Sequence, residues 1–245
     1  MNAHMLLHTT ARVLTQIRHD RRTVGLLLVV PSVLLTLLRF VFNGRPDIFD
    51  QLGLMLLGIF PYVSMFMVTS VAMLRERTTG TLERLMSTPL SKMDLLLGYG
   101  LAFALVAVVQ AAVAATVAYQ FLGLESQGSI AAVLLIVIAT AVLGSSTGLL
   151  TSAFAQSEFQ AMQFMPALVI PQLLLCGLVW PREQMSGFLQ GLSNVVPLRY
   201  AAQGLTEIGT YPHPTTTMWI DLAVVAAFAA ASLLTGAVTL RRRSS

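Results

Sequence analysis

The chain has 245 residues, of which 56% are hydrophobic and only 11% are charged, and its mean hydropathy is +0.75. Soluble globular domains carry about 25% charged residues, so this composition excludes an ordinary water-soluble protein and predicts an all-α integral membrane protein. The net charge of +4 agrees with membrane insertion and contact with anionic lipid head groups, and we predict no nucleic-acid partner.

The first predicted element is an amphipathic helix over residues 1–22. Apolar side chains recur on one helical face and polar side chains on the opposite face. The apolar face carries Leu6, Val13, Leu14 and Ile17, and the polar face carries His8, Arg12, Gln16 and His19. We expect this helix to lie in the inner membrane interface, in contact with membrane lipid. His4 and His8 have the spacing of two metal ligands, but no third ligand is evident, so we predict no metal site.

Six apolar stretches follow, and each is close to the ~20 residues that a helix needs to cross the hydrocarbon layer of a bilayer. They comprise residues 23–42, 52–74, 95–122, 130–154, 162–180 and 218–240. The second, third and fourth stretches contain no charged residue. Backbone polar groups must be bonded internally in lipid, and the alternation of a β-barrel is absent from the sequence. We therefore predict six transmembrane helices within a single domain over residues 1–245.

The distribution of basic residues predicts the orientation of these spans. With a cytoplasmic N-terminus, most of the 15 basic residues fall on the inner side. The outer side or the outer span ends keep Arg39, Arg45, Arg182 and Arg199. Because cytoplasmic loops retain positive charge, we predict a multi-pass protein with both termini in the cytoplasm. Arginine greatly exceeds lysine in the sequence, which is typical of a GC-rich bacterial genome, so we expect a bacterial plasma membrane.

The connection between the second and third predicted spans, residues 75–94, gathers charge in an otherwise apolar chain. In one helix, Glu76 and Glu83 would share a face, while an apolar ridge on another face would be formed by Leu82, Leu85 and Met86. A short amphipathic helix between two spans can dock in a groove of a partner protein and transmit displacement into the membrane. The alternative interpretation is a solvated, positively charged inner loop.

Two further features concern the fourth span and the segment before the sixth. Gly144 and Gly148 in the stretch GSSTG have the small-xxx-small spacing that lets two helix backbones approach closely in lipid. We therefore predict tight helix packing at both glycines. Residues 181–216 are too apolar for a free loop and too interrupted to span the bilayer. We predict outer re-entrant helices there, broken near Pro197.

Catalytic signatures are missing from the sequence. There is no G-x-x-x-x-G-K-[ST] phosphate loop, no G-x-S-x-G nucleophile elbow and no histidine within a predicted span. The spans also carry very few ionisable side chains, whereas ion-driven carriers bind their ions deep in the membrane. We predict a non-catalytic chain that receives energy from another polypeptide. The alternatives are a membrane scaffold or assembly protein, and an ion channel or carrier.

Two stretches resemble a known family. RERTTGTLERLMSTPLSK, residues 75–92, resembles the segment after the second span in ABC transporter permeases of the type-2 class, which includes the daunorubicin-exporter and sodium-exporter permeases. LSNVVPLRYAAQGL, residues 192–205, resembles the proline-containing segment before the last span of that family. The resemblance implies that two permease chains, identical or similar, pair with two ABC ATPase subunits. Mg-ATP hydrolysis on the ATPase would drive export of an amphiphilic solute, a drug-like molecule or a lipid, and the permease itself would hold no cofactor.

The same resemblance implies two sets of functional residues. The coupling helix that contacts the ATPase would include Glu76, Gly80, Thr81, Leu82, Glu83 and Leu85. The second and fifth spans would face the solute path, with the pocket residues Phe60, Tyr62, Met65, Phe66, Gln163, Phe164 and Met165. Aromatic and methionine side chains adapt to varied apolar solutes. Ordinary helix packing or lipid contact is the alternative interpretation for each of these pocket residues.

Overall fold

A computed structural model describes residues 3–81 and 92–239, and the described part of the chain is all-helical, without a strand. It contains nine α-helices, a π-helical turn and a 3₁₀ turn. They are α1 (Ala3–His19), α2 (Arg21–Val41), α3 (Pro46–Thr78), α4 (Lys92–Thr116), the π-helical turn (Val117–Phe121), α5 (Ile130–Ser152), α6 (Glu158–Leu175), the 3₁₀ turn (Arg182–Gln184), α7 (Gly187–Ser193), α8 (Pro197–Thr210) and α9 (Thr216–Thr239). The predicted all-α class is confirmed.

The ends of several helices follow from local sequence chemistry. Ser129 and Ser157 precede α5 and α6, and each side-chain oxygen accepts a main-chain N–H from the first turn of its helix. Pro46 and Pro197 begin α3 and α8, at the position where the missing N–H of proline has no intrahelical acceptor to lose. Gly44 adopts a φ of +85° in the turn between α2 and α3, a left-handed conformation that favours glycine.

Five of the described helices are long and apolar enough to cross a membrane, which supports the predicted multi-pass membrane protein. They are α2, α3, α4 with the π-helical turn, α5 and α9. The predicted fifth span corresponds to α6, which has only 18 residues and contains Pro166 and Pro171. Five of the six predicted spans therefore correspond to helices of full length, and the sixth crossing stays a prediction.

Helix α3 is the longest helix and lies at the centre of the bundle. It packs most extensively on α5 and also contacts α8, α6, α2 and α4. Its 33 residues give a length of about 50 Å, which exceeds the ~30 Å hydrocarbon layer. The sequence predicts a span over residues 52–74, but the helix continues to Thr78. The continuation past the apolar run carries three charged side chains that bind neighbouring helices, as described below.

Two apolar clusters hold the bundle together. The larger one joins α3 and α5 to α8 and α9 and includes Tyr62 and Leu205. The smaller one joins α1 and α4 to α3 and α5 and includes Val13 and Phe103. In contrast, α2 and α9 bury only 17% and 22% of their apolar stretches within the chain. Their outward faces are therefore open to lipid or to another chain.

Helix α1 packs against α4. Val13 is 2% exposed, and the Thr10 hydroxyl donates to the main-chain carbonyl of Gly98 at 3.2 Å. A Cβ atom at Gly98 would lie 2.7 Å from the side chain of Thr9, so the absence of a side chain allows the two helices to meet. The predicted apolar face of α1 thus faces the bundle, and its location in the membrane interface stays a prediction.

Residues 181–216, which the sequence predicts as an outer re-entrant segment, form the short helix α7 and the longer helix α8. The two helices are separated at residues 194–196, and α8 packs its buried face on α9, α3 and α5. Entry of these helices into the bilayer stays a prediction.

Candidate functional site

Three consecutive charged side chains at the end of α3 each bind a different element of the bundle. The pairs are Arg75 with the Glu158 carboxylate in α6, Glu76 with the Arg12 guanidinium in α1, and Arg77 with the main-chain carbonyl of Ser152 in α5. These six residues, together with Tyr99 of α4, form what we call the inner junction. The predicted coupling segment begins within it, so a displacement of that segment reaches other helices through direct polar contacts.

Glu76 is the buried carboxylate of the inner junction. It is 9% exposed, and its Oε1 lies 3.2 Å from Arg12 Nη1 and 3.4 Å from Gln16 Nε2. Arg12 Nη2 also donates to the Tyr99 hydroxyl at 2.6 Å. A buried carboxylate needs a cation and hydrogen bonds to offset its lost hydration. This group of side chains therefore ties α1, α3 and α4 together.

The pair between Arg75 and Glu158 is more exposed. Arg75 donates to the two Glu158 carboxylate oxygens, at 2.7 Å from Nε and 3.1 Å from Nη2. These hydrogen bonds favour the charged carboxylate and lower the pKa of Glu158. The two side chains remain 60% and 47% exposed, and such pairs contribute at most about 1 kcal/mol to stability. The main effect of the two hydrogen bonds is therefore to orient the start of α6 relative to α3, and their contribution to stability is small.

The predicted coupling residues fall into two groups. Glu76 lies in the last turn of α3 and faces the chain's own helix α1. Gly80 has a φ of +72°, which turns the chain after α3, and Thr81 follows it with its hydroxyl 3.0 Å from that of Thr79. The remaining predicted coupling residues lie outside the described part of the chain; they are Leu82, Glu83 and Leu85.

The predicted path residues separate by burial. Three on α3 are fully enclosed by the chain: Tyr62, Met65 and Phe66. The other four are exposed in part or in full: Phe60, Gln163, Phe164 and Met165. In this conformation, only the second set is accessible to a solute.

A hydrogen bond connects α3 to α6 beside these residues. Gln172 Nε2 donates to the Tyr62 hydroxyl at 3.0 Å and to the main-chain carbonyl of Leu168 at 3.1 Å. Pro166 and Pro171 lack the N–H that would continue the helical hydrogen bonds of α6. Sequence reasoning missed Gln172, although a polar amide within an apolar run is a signal that could have singled it out.

Gly144 and Gly148 lie at the closest approach of α5 to α3. A Cβ atom at Gly144 would overlap the main-chain carbonyl of Tyr62, and one at Gly148 would overlap the Thr69 hydroxyl and the main-chain carbonyl of Phe66. The Thr69 hydroxyl also donates to the main-chain carbonyl of Ser145 in α5 at 3.2 Å. Any larger residue at either glycine would push the two central helices apart.

Arg12 and Tyr99 of the inner junction were not predicted as site residues. Helical periodicity assigns Arg12 to the polar face of α1, but its side chain turns inward to Glu76. No local signal identifies this pairing, because 64 residues separate the two side chains in the sequence.

Among the described residues, no group of three metal-ligating side chains is present. His4 and His8 contact each other, with their Nε2 atoms 3.3 Å apart.

Comparison with known proteins identifies a family. Residues 6–209 match the family model described as ABC-2 type transporter. The chain is 25% identical over 166 residues to ABC transporter G family member 20 of Dictyostelium discoideum, which covers 68% of this chain and 23% of that protein. It is 28% identical over 145 residues to the probable multidrug ABC transporter permease YbhR of Escherichia coli (strain K12). This alignment covers 59% of this chain and 39% of YbhR.

A third relative is the linearmycin resistance permease protein LnrN of Bacillus subtilis (strain 168). The chain is 26% identical to it over 168 residues, which cover 69% of this chain and 43% of that protein. The aligned part therefore spans less than half the length of each of these three relatives. The match to the family model confirms the resemblance that the sequence shows at residues 75–92 and 192–205.

Proposed function

The chain belongs to the ABC-2 type transporter family, and from this membership we propose that it is the membrane-spanning permease subunit of an ATP-driven exporter. A separate ABC ATPase binds and hydrolyses Mg-ATP, and this chain contributes no catalytic residue. A second permease chain, identical or similar, completes the path. The α6 helix supplies the sixth crossing, and both termini face the cytoplasm of a bacterium.

One observation carries the proposal of energy coupling: the inner junction connects the end of α3 to three other helices. The contacts reach α1 through Glu76, α5 through Arg77 and α6 through Arg75. An ATPase that displaces residues 79–94 therefore moves several helices at once. Glu76 acts as a positioning residue in this proposal, and Leu82, Glu83 and Leu85 with Gly80 and Thr81 form the surface that meets the ATPase.

Replacing Leu82 with aspartate is expected to uncouple ATP hydrolysis from transport or to release the ATPase, while membrane insertion is retained. A carboxylate in the apolar ridge has to be desolvated in the ATPase groove, which costs several kcal/mol and lowers complex formation roughly tenfold or more. Co-purification of the two subunits and solute-stimulated ATP hydrolysis, measured in lipid, are the readouts.

The matched control is Leu82→Met, which keeps an apolar side chain of similar size and is expected to behave as the unaltered chain does. If Leu82→Asp co-purifies normally and leaves ATP hydrolysis unchanged, the connection between α3 and α4 does not bind an ATPase. The alternatives of a scaffold and of an ion channel then gain support, because neither requires an ATPase at this surface.

We propose an amphiphilic solute, drug-like or lipid-like, because the candidate path residues are mainly aromatic and sulfur-containing. The names of YbhR and LnrN refer to multidrug transport and to linearmycin resistance, which agrees with this class of solute. The partly or fully exposed residues Phe60, Gln163, Phe164 and Met165 contact the solute in the present conformation. Tyr62, Met65 and Phe66 are enclosed by the chain, so they become available only if the helices that cover them move away.

Alanine substitutions at two phenylalanines distinguish solute contact from packing. Phe164→Ala is expected to reduce the efflux of some solutes several-fold while leaving others unchanged, because it alters the shape of an accessible surface. Phe66→Ala removes a fully enclosed side chain, costs about 3 to 5 kcal/mol of stability and lowers all efflux in proportion to protein level. Efflux of a solute panel, normalised to the amount of protein in the membrane, separates the two. A uniform loss in Phe164→Ala would assign that residue to packing as well.

A further inference from the structure

Two arginine side chains converge on one amide in the segment between α6 and α8. Arg182 Nη2 and Arg199 Nη1 each donate to Asn194 Oδ1, and both distances are 2.8 Å. Arg182 is held in place by a second hydrogen bond from its Nε to the Ser193 hydroxyl at 2.9 Å, and Arg199 Nη2 donates to Gln203 Oε1 at 3.0 Å. Two positive charges therefore lie within reach of a single small anion.

Among the described residues, no carboxylate forms an ion pair with Arg182 or Arg199. The two ion pairs in this part of the chain both belong to the inner junction. Asp221 of α9 interacts electrostatically with Arg199, but it lies beyond ion-pair distance. Glu183 follows Arg182 in the chain and is exposed. The shared acceptor, Asn194 Oδ1, is neutral, and like charges so close together favour an anion that bridges them.

The residues that neighbour this arginine pair in the sequence include several exposed apolar side chains. Phe188 and Leu192 of α7 are 78% and 44% exposed, and Val195 in the turn after α7 is 64% exposed. Trp180, which precedes the 3₁₀ turn of Arg182, is 56% exposed. Tryptophan side chains prefer the level of lipid head groups in membrane proteins. The arginine pair is thus expected at head-group level, with apolar side chains beside it.

We propose that Arg182, Asn194 and Arg199 form a binding site for the phosphate group of a membrane phospholipid, with the acyl chains lying against Phe188 and Val195. Guanidinium groups bind phosphate oxygens through paired N–H donors and lose little hydration in doing so. The Asn194 amide nitrogen has no hydrogen-bond partner in the described part of the chain and supplies further donors. The apolar surface favours a lipid over a free anion, because it also accommodates acyl chains. The site does not depend on the ATPase or on the solute.

The proposal is tested on the purified full chain in detergent by native mass spectrometry. Three probes are added: short-chain phosphatidylglycerol, diacylglycerol with the same chains, and inorganic phosphate. We expect saturable binding of phosphatidylglycerol only. Binding of diacylglycerol to the same extent would show that the apolar surface binds the lipid without the phosphate group. Complete competition by inorganic phosphate would assign the site to a free anion. Either result overturns the lipid-phosphate assignment.

Variants connect the binding to the arginine pair. Arg182→Gln combined with Arg199→Gln is expected to weaken phosphatidylglycerol binding about tenfold or more, because hydrogen bonds to charged groups are lost. Asn194→Asp places a carboxylate between the two guanidinium groups, so it preserves the local fold and is expected to weaken binding to a similar degree. Arg45→Gln, an exposed arginine in the turn between α2 and α3, is the matched control and should bind as the unaltered chain does. Unchanged binding in Asn194→Asp, or an equal loss in Arg45→Gln, contradicts the proposal.

Discussion

Replacing Glu76 with alanine is expected to destabilise the chain by about 2 to 4 kcal/mol, because it leaves a partly buried guanidinium without its carboxylate. The Arg12 side chain is 29% exposed and that of Glu76 is 10% exposed, so water replaces the lost partner only in part. The Gln16 amide loses its acceptor in the same variant. The free energy of unfolding, measured by denaturation of the purified chain in detergent, checks the expected loss.

The control is Glu158→Ala, which breaks the other ion pair at the end of α3. That pair is 60% and 47% exposed, so its loss is expected to cost less than about 1 kcal/mol. A double-mutant cycle of Arg12→Ala and Glu76→Ala measures the coupling between these two side chains. Equal effects of Glu76→Ala and Glu158→Ala, or a coupling energy near zero, would show that Glu76 does not hold α1 to α3.

Gly148→Ala is expected to destabilise the bundle by at least about 2 kcal/mol, because the added methyl group overlaps main-chain atoms that cannot rotate away. The overlapping atoms include the main-chain carbonyl of Phe66 on α3. Gly144→Ala overlaps the main chain of Tyr62 in the same way, and the double variant is expected to yield little monodisperse protein. Thermal unfolding and size-exclusion profiles in detergent provide the measurement.

A glycine on another span supplies the comparison. Gly25 lies in α2, and nothing is within 4 Å of the position that its Cβ atom would occupy. Gly25→Ala is therefore expected to be neutral or stabilising by up to about 1 kcal/mol, because alanine favours the helix over the unfolded chain. Should Gly148→Ala match Gly25→Ala in stability, the close approach of α3 and α5 would not depend on the missing side chain.

Much of the fold could be predicted from sequence because the solvent is lipid. Long apolar runs have few structural options in a bilayer, and the described helices α2, α3, α4, α5 and α9 all correspond to such runs. The spacing of Gly144 and Gly148 is also a local pattern, and the structure places these glycines where α5 meets α3. Both features can be read from the sequence because each involves residues that are close together in one helix.

The inner junction could not be predicted in the same way. Glu76 and Arg12 are 64 residues apart, and either residue alone is compatible with a solvated helix face. The helix α3 extends beyond the predicted span for a related reason: a hydropathy pattern ends at the first charge, whereas the helix continues when each charge finds a partner. Burial of Tyr62, Met65 and Phe66 likewise depends on which helix packs against α3, and the family resemblance gives residue types without that packing.

The order of the three charges at the end of α3 has a mechanical consequence. Successive residues of an α-helix point about 100° apart around its axis, so Arg75, Glu76 and Arg77 extend in three directions. They contact α6, α1 and α5, respectively. A sliding movement of α3 along its axis strains all three contacts in parallel. A rotation of α3 about its axis instead displaces all three contacts in the same rotational sense.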